Sequence, residues 1–480
     1  MTAPSFFPRP HRRRLAPRIG TAALLILAAA LAAAGRYPHQ TASPIAIRYL
    51  EAAEALRTSG LRTELAYKLL ARLTAAGPRL TGSSGAAAAV ELTRAMMSEL
   101  GFETWLEPIM VQHWVRGAES AAVVRPAGAG LSSLRITALG NSVPTPDAGL
   151  SAPVVEIRSF DDLQARGAAL KGKIVFFNVP MDPRPMDTFQ GYGTAVPYRS
   201  RGASEAAREG AIAVLVRSVT LRTDDSPHAG MVAYDPALPR IPAAAVSTRD
   251  ADSLSALLAQ GTPVEVKLIL GCRELGPTPS ANVVGQIRGV EKPDEIVLVG
   301  GHLDSWDLGT GAHDDGAGCV QAIEALRLIR DLDPKPRRTV RAVMFMNEEF
   351  GASGGRDYAA DLRRAGERHI AALESDRGAF LPVGFGLGGT AEQFARIRRW
   401  AELLLAPSGI LWVRPGGGGA DVGPLAASGT VLMAFVPDSQ KYFDVHHSGL
   451  DVLTSVHPRE LELGAIVMAI MAYVTAQEGI

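Results

Sequence analysis

Three short apolar runs, residues 295–300 (EIVLVG), 339–346 (TVRAVMFM) and 431–436 (VLMAFV), are rich in β-branched or bulky side chains and are separated by helical-looking segments. That alternation narrows the fold to an α/β architecture, a mostly parallel sheet flanked by helices. In open sheets of this kind the ligand crevice forms outside the carboxyl ends of the strands, where residues distant in sequence converge. Acids and imidazoles cluster just after apolar runs. His302, Asp304, Asp314 and Asp315 lie in GGHLDSWDLGTGAHDDGAG, Glu348 and Glu349 in NEEFG, Asp376 in ESDRG, and His446 and His447 in FDVHHSGLD. Function is expected at that edge.

Taken singly, each of these residues also suits a cap, a turn or a solvated surface, and Asp314-Asp315-Gly316 could simply open the helix that follows. Taken together they suit metal. Imidazole and carboxylate ligands fit zinc or a similar divalent ion, and two His with several acids can hold two ions about 3.5–4 Å apart. Such a pair makes hydroxide available near neutral pH. An adjacent Glu-Glu permits a division of labour in which one acid binds metal and its neighbour takes the proton of the attacking water. Three ligand carboxylates against two divalent ions leave the site electropositive, which polarises a carbonyl and stabilises an oxyanion.

In order along the chain, HLDSWD, GAHDDGAG, NEEFG, ESDRG and the H-[ST]-x-x-D pattern of His447, Ser448 and Asp451 resemble the cocatalytic di-zinc exopeptidase family, closest to its plasma glutamate carboxypeptidase branch. The resemblance runs from about Ile45 to the C-terminus. It implies the zinc exopeptidase fold, a mixed, mostly parallel sheet flanked by helices, with two Zn2+ ions per chain. His302 and Asp376 would hold one ion, Glu349 and His447 the other, and Asp314 would bridge them. Glu348 would be the general base, and Asp304 would orient the His302 imidazole from behind. His446 would face the substrate carbonyl. The substrates implied are dipeptides or short peptides cleaved next to a free terminus, and the assembly implied is a homodimer. Asp315 is expected to cap a helix beginning near Ala317, and His313 to point away from the site. Two positions depart from the family pattern: Arg377 stands where a small or apolar residue is commoner, and Val452 where Thr is usual. Arg377 is expected to pair with Glu374 in preference to binding a substrate carboxylate.

Residues 45–115 read as helical, with Leu65, Leu69, Leu70 and Leu73 on one face, a break at Gly77-Pro78, and a second helix through Leu92, Met96, Met97 and Leu100. The catalytic domain is expected to comprise residues 45–120 and 277–480. Residues 121–276 interrupt it with Pro- and Gly-punctuated strands, LKGKIVFFNVP (170–180) and the helix-strand run GASEAAREGAIAVLVRS (202–218). They resemble an inserted protease-associated domain, whose role would be to roof the cleft and favour short peptides. Residues 283–287 are expected to re-enter the catalytic sheet. Gly384, Gly386 and Gly389 spell GxGxxG but lack a dinucleotide-site context, and are read as a loop before a Thr390/Gln393 capping box. Gly416 to Gly419 read as a connecting loop, and Trp306 and Trp412 as core or cleft wall.

The 480 residues carry 49 basic and 49 acidic side chains, so no basic field points to nucleic acid. Cys272 and Cys319 form no CxxC and are read as buried thiols. At the N-terminus a basic start, HRRR at residues 11–14, precedes the apolar run TAALLILAAALAAA at residues 21–34. Residues 1–34 read as a secretory signal peptide, the run being shorter than the ~20 residues of a spanning helix. The mature chain would then be periplasmic or extracellular, without a stable membrane partner; left uncleaved, the run would anchor it. Two other readings stay open: a non-catalytic peptide-binding or receptor-like module on the same fold, and a single-zinc glutaminyl cyclase-like acyltransferase. Ser375 and Ser448 adjoin candidate ligands and form no Ser-His-Asp arrangement.

Overall fold

The computed structural model describes residues 43–126 and 132–480; the basic start and apolar run near the N-terminus lie outside the described residues. Helix α1 (Leu65–Ala75) buries Leu69, Leu70 and Leu73, the stripe that their spacing dictates. Helix α2 (Ser84–Glu99) begins where Ser83 accepts the Ala86 N–H, and it buries Met96 and Met97. The helical reading fails beyond it. Residues 103–115 are instead strand β1 (Glu103–Val115), with Glu107, Ile109 and Val111 buried in alternation. Pro108 is tolerated there because β1 is an edge strand.

After β1 the chain leaves the first sheet and builds a second: β2 (Glu119–Arg125), β3 (Ile136–Ala138), β4 (Leu150–Ile157), β5 (Ile174–Phe177), β6 (Ala213–Arg217), β7 (Ala243–Val246) and β8 (Glu265–Leu270), ordered β2-β8-β4-β5-β6-β7-β3. Helix α3 (Thr188–Ser200) lies between β5 and β6. Ile174, Phe176, Leu215 and Val266 give this sheet its own core.

The chain returns through β9 (Arg273–Ile287), longer than the expected 283–287 because it pairs antiparallel along the whole of β1. There follow β10 (Lys292–His302), helix α4 (Ala317–Arg330), β11 (Arg338–Phe345), β12 (Arg368–Glu374), β13 (Pro382–Leu387), β14 (Trp412–Pro415), β15 (Val431–Pro437) and helix α5 (Pro458–Glu478). The first sheet has eight strands in the order β1-β9-β11-β10-β12-β15-β13-β14. Its centre is parallel, β11, β10, β12 and β15 running the same way, while β9 pairs antiparallel to β1 and β11, and β13 pairs antiparallel to β15 and parallel to β14. Gly384 and Gly386 belong to β13, not to a loop: a Cβ on Gly384 would meet the Trp412 ring at 2.4 Å, so the missing side chain admits the neighbouring strand's indole. The Thr390/Gln393 capping box is formed.

Helices α4 and α5 carry the core beneath the sheet, with Val320, Ile323, Ile466 and Ile470 fully buried, each worth ~1.5–3 kcal/mol. Helix α5 is long and apolar enough to cross a membrane by length and composition, but 89% of that window is buried inside the protein. It is a core helix. A Cβ on Gly464 would strike Gln321 Nε2 at 2.1 Å, so the glycine lets α5 close on α4. Cys272 and Cys319 are free, buried and in separate clusters.

One acid is placed at a cost in this core. Glu462 of α5 is 1% exposed; Oε1 accepts the Ala66 N–H at 2.7 Å and Oε2 has no partner. Burial, reinforced by nearby Glu324, pushes it from 4.5 up to about 8. A folded value above the unfolded one gives a stability contribution that is full below pH 4.5 and lost as pH rises through about 8. Glu462→Gln is expected to flatten the urea-measured stability profile across that window and to stabilise the fold at pH 8 by ~1–3 kcal/mol.

Candidate metal centre

The acids and imidazoles gather beyond the carboxyl ends of the central strands. β10 ends at His302, Glu348 and Glu349 follow β11, Asp376 follows β12, and His446 and His447 follow β15. Asp314 stands between two rings: its Oδ1 is 3.1 Å from His302 Nε2 and its Oδ2 is 3.2 Å from His447 Nε2. His302 Nε2 also lies 3.5 Å from Asp376 Oδ1, and His447 Nε2 lies 3.2 Å from Glu349 Oε2. Three overlapping triads bring ligand atoms within 4.8 Å of one another: His302, Asp314 and Glu349; His302, Asp315 and Asp376; Asp314, His446 and His447. Glu348 belongs to none of these triads, yet lines the same cavity. Asp314 Oδ2 and Glu349 Oε1 are buried with no hydrogen-bond donor, an arrangement costly for carboxylates unless a cation faces them. The donor set therefore fits divalent ions.

Several of these residues are held by main-chain contacts. The Asp451 carboxylate accepts the N–H groups of His313 and Asp314 at 2.7 and 3.1 Å. Asp315 accepts from Gly318 N–H in the first turn of α4 at 2.9 Å and from His302 N–H at 3.0 Å, so it caps the helix and ties it to the end of β10. A Cβ on Gly301 would lie 2.1 Å from Asp315 Oδ2, and one on Gly318 would lie 1.9 Å from Ser375 O; these glycines permit the close approach. His313 stacks on Phe380 at 4.4 Å, away from the cluster.

Asp304 does more than the expected support of His302, and reaches that imidazole chiefly through its main-chain oxygen. His302 Nδ1 is 3.0 Å from the Asp304 main-chain oxygen but 3.8 Å from its carboxylate. The carboxylate instead accepts the N–H groups of Asn347, Glu348 and Glu349 at 2.7, 3.0 and 3.3 Å, because the turn after β11 leaves those amides without helix or sheet partners. Arg377 also departs. Its guanidinium lies 4.4 Å over the Phe189 ring of α3, while Glu374 is buried and its Oε2 accepts the Val422 N–H at 2.8 Å, leaving no pair with Arg377. His446 stacks on His447 at 3.5 Å, and its Nε2 is 3.7 Å from Asp314 Oδ2. His447 alone of the two reaches both Asp314 and Glu349.

The cavity holds about 430 Å³. Asp314, Glu348, Glu349, Asp376, His446 and His447 form one side; Phe189, Tyr192 and Arg199 of α3, with Met231, form the other. Among the described residues Arg199 is its only arginine or lysine; the side chain is 7% exposed, its Nη2 donates to Tyr192 OH at 2.7 Å, and its Nε is unpaired. No motif marked it. Nor did any mark Arg79, which is fully buried and donates to the carbonyls of Leu303 and Gly311 at 2.6 and 2.9 Å, bracing the loop after β10. Burial, reinforced by Asp376, Glu349 and Asp304 and opposed by His302, pushes Glu348 well above the usual glutamate range. Burial and the His447 charge hold His446 well below the usual imidazole range.

Comparison with known proteins converges on one family. The family model "Peptidase family M28" matches residues 282–461. Carboxypeptidase Q of Bos taurus is 37% identical over 423 residues, covering 88% of this chain and 87% of that protein. The crystal structure of a peptidase M28 precursor from Shewanella amazonensis superposes with a TM-score of 0.86 at 37% identity, covering 90% of this chain and 97% of that one. A zinc aminopeptidase from Bacillus subtilis shares the fold, with a TM-score of 0.61 at 19% identity over 84% of this chain and 93% of its own.

The triple contact at Asp304 is open to test. Asp304→Ala would strand three amide groups, and is expected to lower the unfolding free energy in chelator by ~3 kcal/mol, read as a fall in the urea midpoint.

Proposed function

Since the chain belongs to peptidase family M28, we propose that it is a di-zinc exopeptidase cleaving dipeptides or short peptides beside a free terminus. The reading rests on Asp314, which turns one carboxylate oxygen toward each of two imidazoles while Glu348 stays outside every ligand triad in the same cavity. His302 and Asp376 are assigned to one ion, Glu349 and His447 to the other, and Asp314 to both. Bound there, the ions would lower the pKa of water and balance the negative charge of a tetrahedral oxyanion.

The chain's own groups supply the rest. Glu348 takes the proton of the attacking water and returns it to the leaving amine, and its raised proton affinity suits both transfers. Asp304, through the amides of residues 347–349, keeps that carboxylate beside the ligand Glu349. Arg199, which lines the cavity, offers its guanidinium charge to a substrate carboxylate, the anion that a short peptide's C-terminus provides. The aromatic wall of Phe189, Tyr192, Tyr442 and Phe443 packs apolar substrate groups. Residues 121–276 are assigned as a protease-associated insert whose α3 wall narrows entry, and residues 1–34 as a secretory leader that places the enzyme outside the cytoplasm.

Glu348→Gln is expected to cut dipeptide hydrolysis by ~10²–10⁴ while zinc content stays at two per chain. A wild type holding two zinc ions without turning over any dipeptide would sink the peptidase reading. Arg199→Gln is expected to raise KM ~10-fold or more for peptides with a free C-terminal carboxylate. C-terminally amidated peptides should lose little further, and equal losses for both substrates would remove Arg199 as the anchor.

A further inference from the structure

The second sheet touches the metal centre from behind as well as across the cavity. His228, 1% exposed in the loop between β6 and β7, places Nδ1 2.6 Å from the main-chain oxygen of His446. The next amide, Ala229 N–H, donates to the His447 carbonyl at 2.8 Å. A carbonyl oxygen only accepts, so His228 Nδ1 carries the hydrogen and the buried, unpartnered Nε2 is the bare nitrogen. The loop is anchored in turn. Ser218 Oγ accepts the His228 N–H at 2.9 Å and donates to the Val246 carbonyl of β7 at 2.7 Å, while Arg199 Nη1 donates to the Ala229 carbonyl at 3.2 Å.

What this loop grips is strained. His447 has φ 59, in the left-handed region, which costs a non-glycine residue of order 1–2 kcal/mol unless its surroundings hold it there. Two consecutive carbonyls, those of His446 and His447, are fixed by two consecutive residues of the second sheet's loop. That fixes the peptide planes on either side of the strained Cα, and with them the direction of the imidazole. We propose that His228 is a positioning residue: with the Ala229 amide it holds His447 in its left-handed conformation so that Nε2 faces Asp314 and Glu349. The second sheet is then a structural component of the metal centre as well as its wall. The proposal deepens the di-zinc reading and rests on it.

Zinc affinity, measured by chelator competition, tests it with His228→Asn and His228→Gln. The Asn amide nitrogen falls near the Nδ1 position, whereas that of Gln reaches toward Nε2. Wild type and His228→Asn should each hold two ions with similar affinity. His228→Gln should hold one as tightly as wild type and the other ~10–100-fold more weakly. The two variants should unfold alike in chelator. Unchanged affinity for both ions in His228→Gln overturns the proposal, as does equal weakening of both ions accompanied by a lower unfolding midpoint in chelator. Should His228→Gln not fold, Ser218→Ala, which loosens the same loop from β7, takes its place with the same expected and overturning results. A wild type binding fewer than two ions removes the di-zinc reading and this proposal with it; a two-ion wild type beside unaffected variants removes this proposal alone.

Discussion

The buried carboxylate of Asp314 sets the terms for everything around it. It lies between two imidazoles, with one oxygen lacking any hydrogen-bond donor, at the edge of a sheet whose central strands run parallel. An acid in such a place is unfavourable unless positive charge faces it, and among the described residues no arginine or lysine pairs with it. The supporting groups chiefly aim it. Asp451 fixes the Asp314 amide, Asp315 ties His302 to helix α4, Asp304 gathers the turn after β11, and Arg79 braces the loop after β10. Most of these supports are themselves acids whose oxygens accept main-chain N–H groups. Burial raises the proton affinity of Asp304, Asp315 and Asp451, a cost that cations bound nearby would relieve.

Much of this arrangement was legible in the sequence, for a physical reason. Buried parallel strands are short and apolar, so β10, β11 and β15 stood out, and residues at their carboxyl ends are forced toward a common edge. The residue types of the candidate ligands, imidazole and carboxylate at ordered intervals, carried the chemistry. Strand β1 did not stand out. It is an edge strand, half exposed, interrupted by Pro108 and paired with a strand far away in sequence, so its period-two pattern is weak beside the helices that precede it.

The side chains missed or misassigned share another property: their partners are main-chain atoms or aromatic faces. Asp304 acts on three amides, Arg79 on carbonyls, and Arg377 on the ring of Phe189. Such partners have no sequence signature, because every residue has a backbone. Pairing Arg377 with Glu374 followed charge complementarity at short range, but the end of β12 buries Glu374 under the glycine-rich loop, where the amide of Val422 serves it instead. Arg199 and His228 were invisible for a further reason: they come from the second sheet, about 100 to 250 residues from the groups they approach.

That separation bears on when the chain first becomes able to bind metal. His302 and His447 lie on opposite sides of Asp314 but are contributed by segments before β11 and after β15, with five strands between them in sequence. A growing polypeptide that has not yet reached residue 447 carries only one imidazole of the pair, and with it the ligand groups on the His302 side of Asp314. On the di-zinc reading, capture of the second ion therefore belongs to the folded chain, and its free energy of coordination is realised only after the long-range strand pairing is complete.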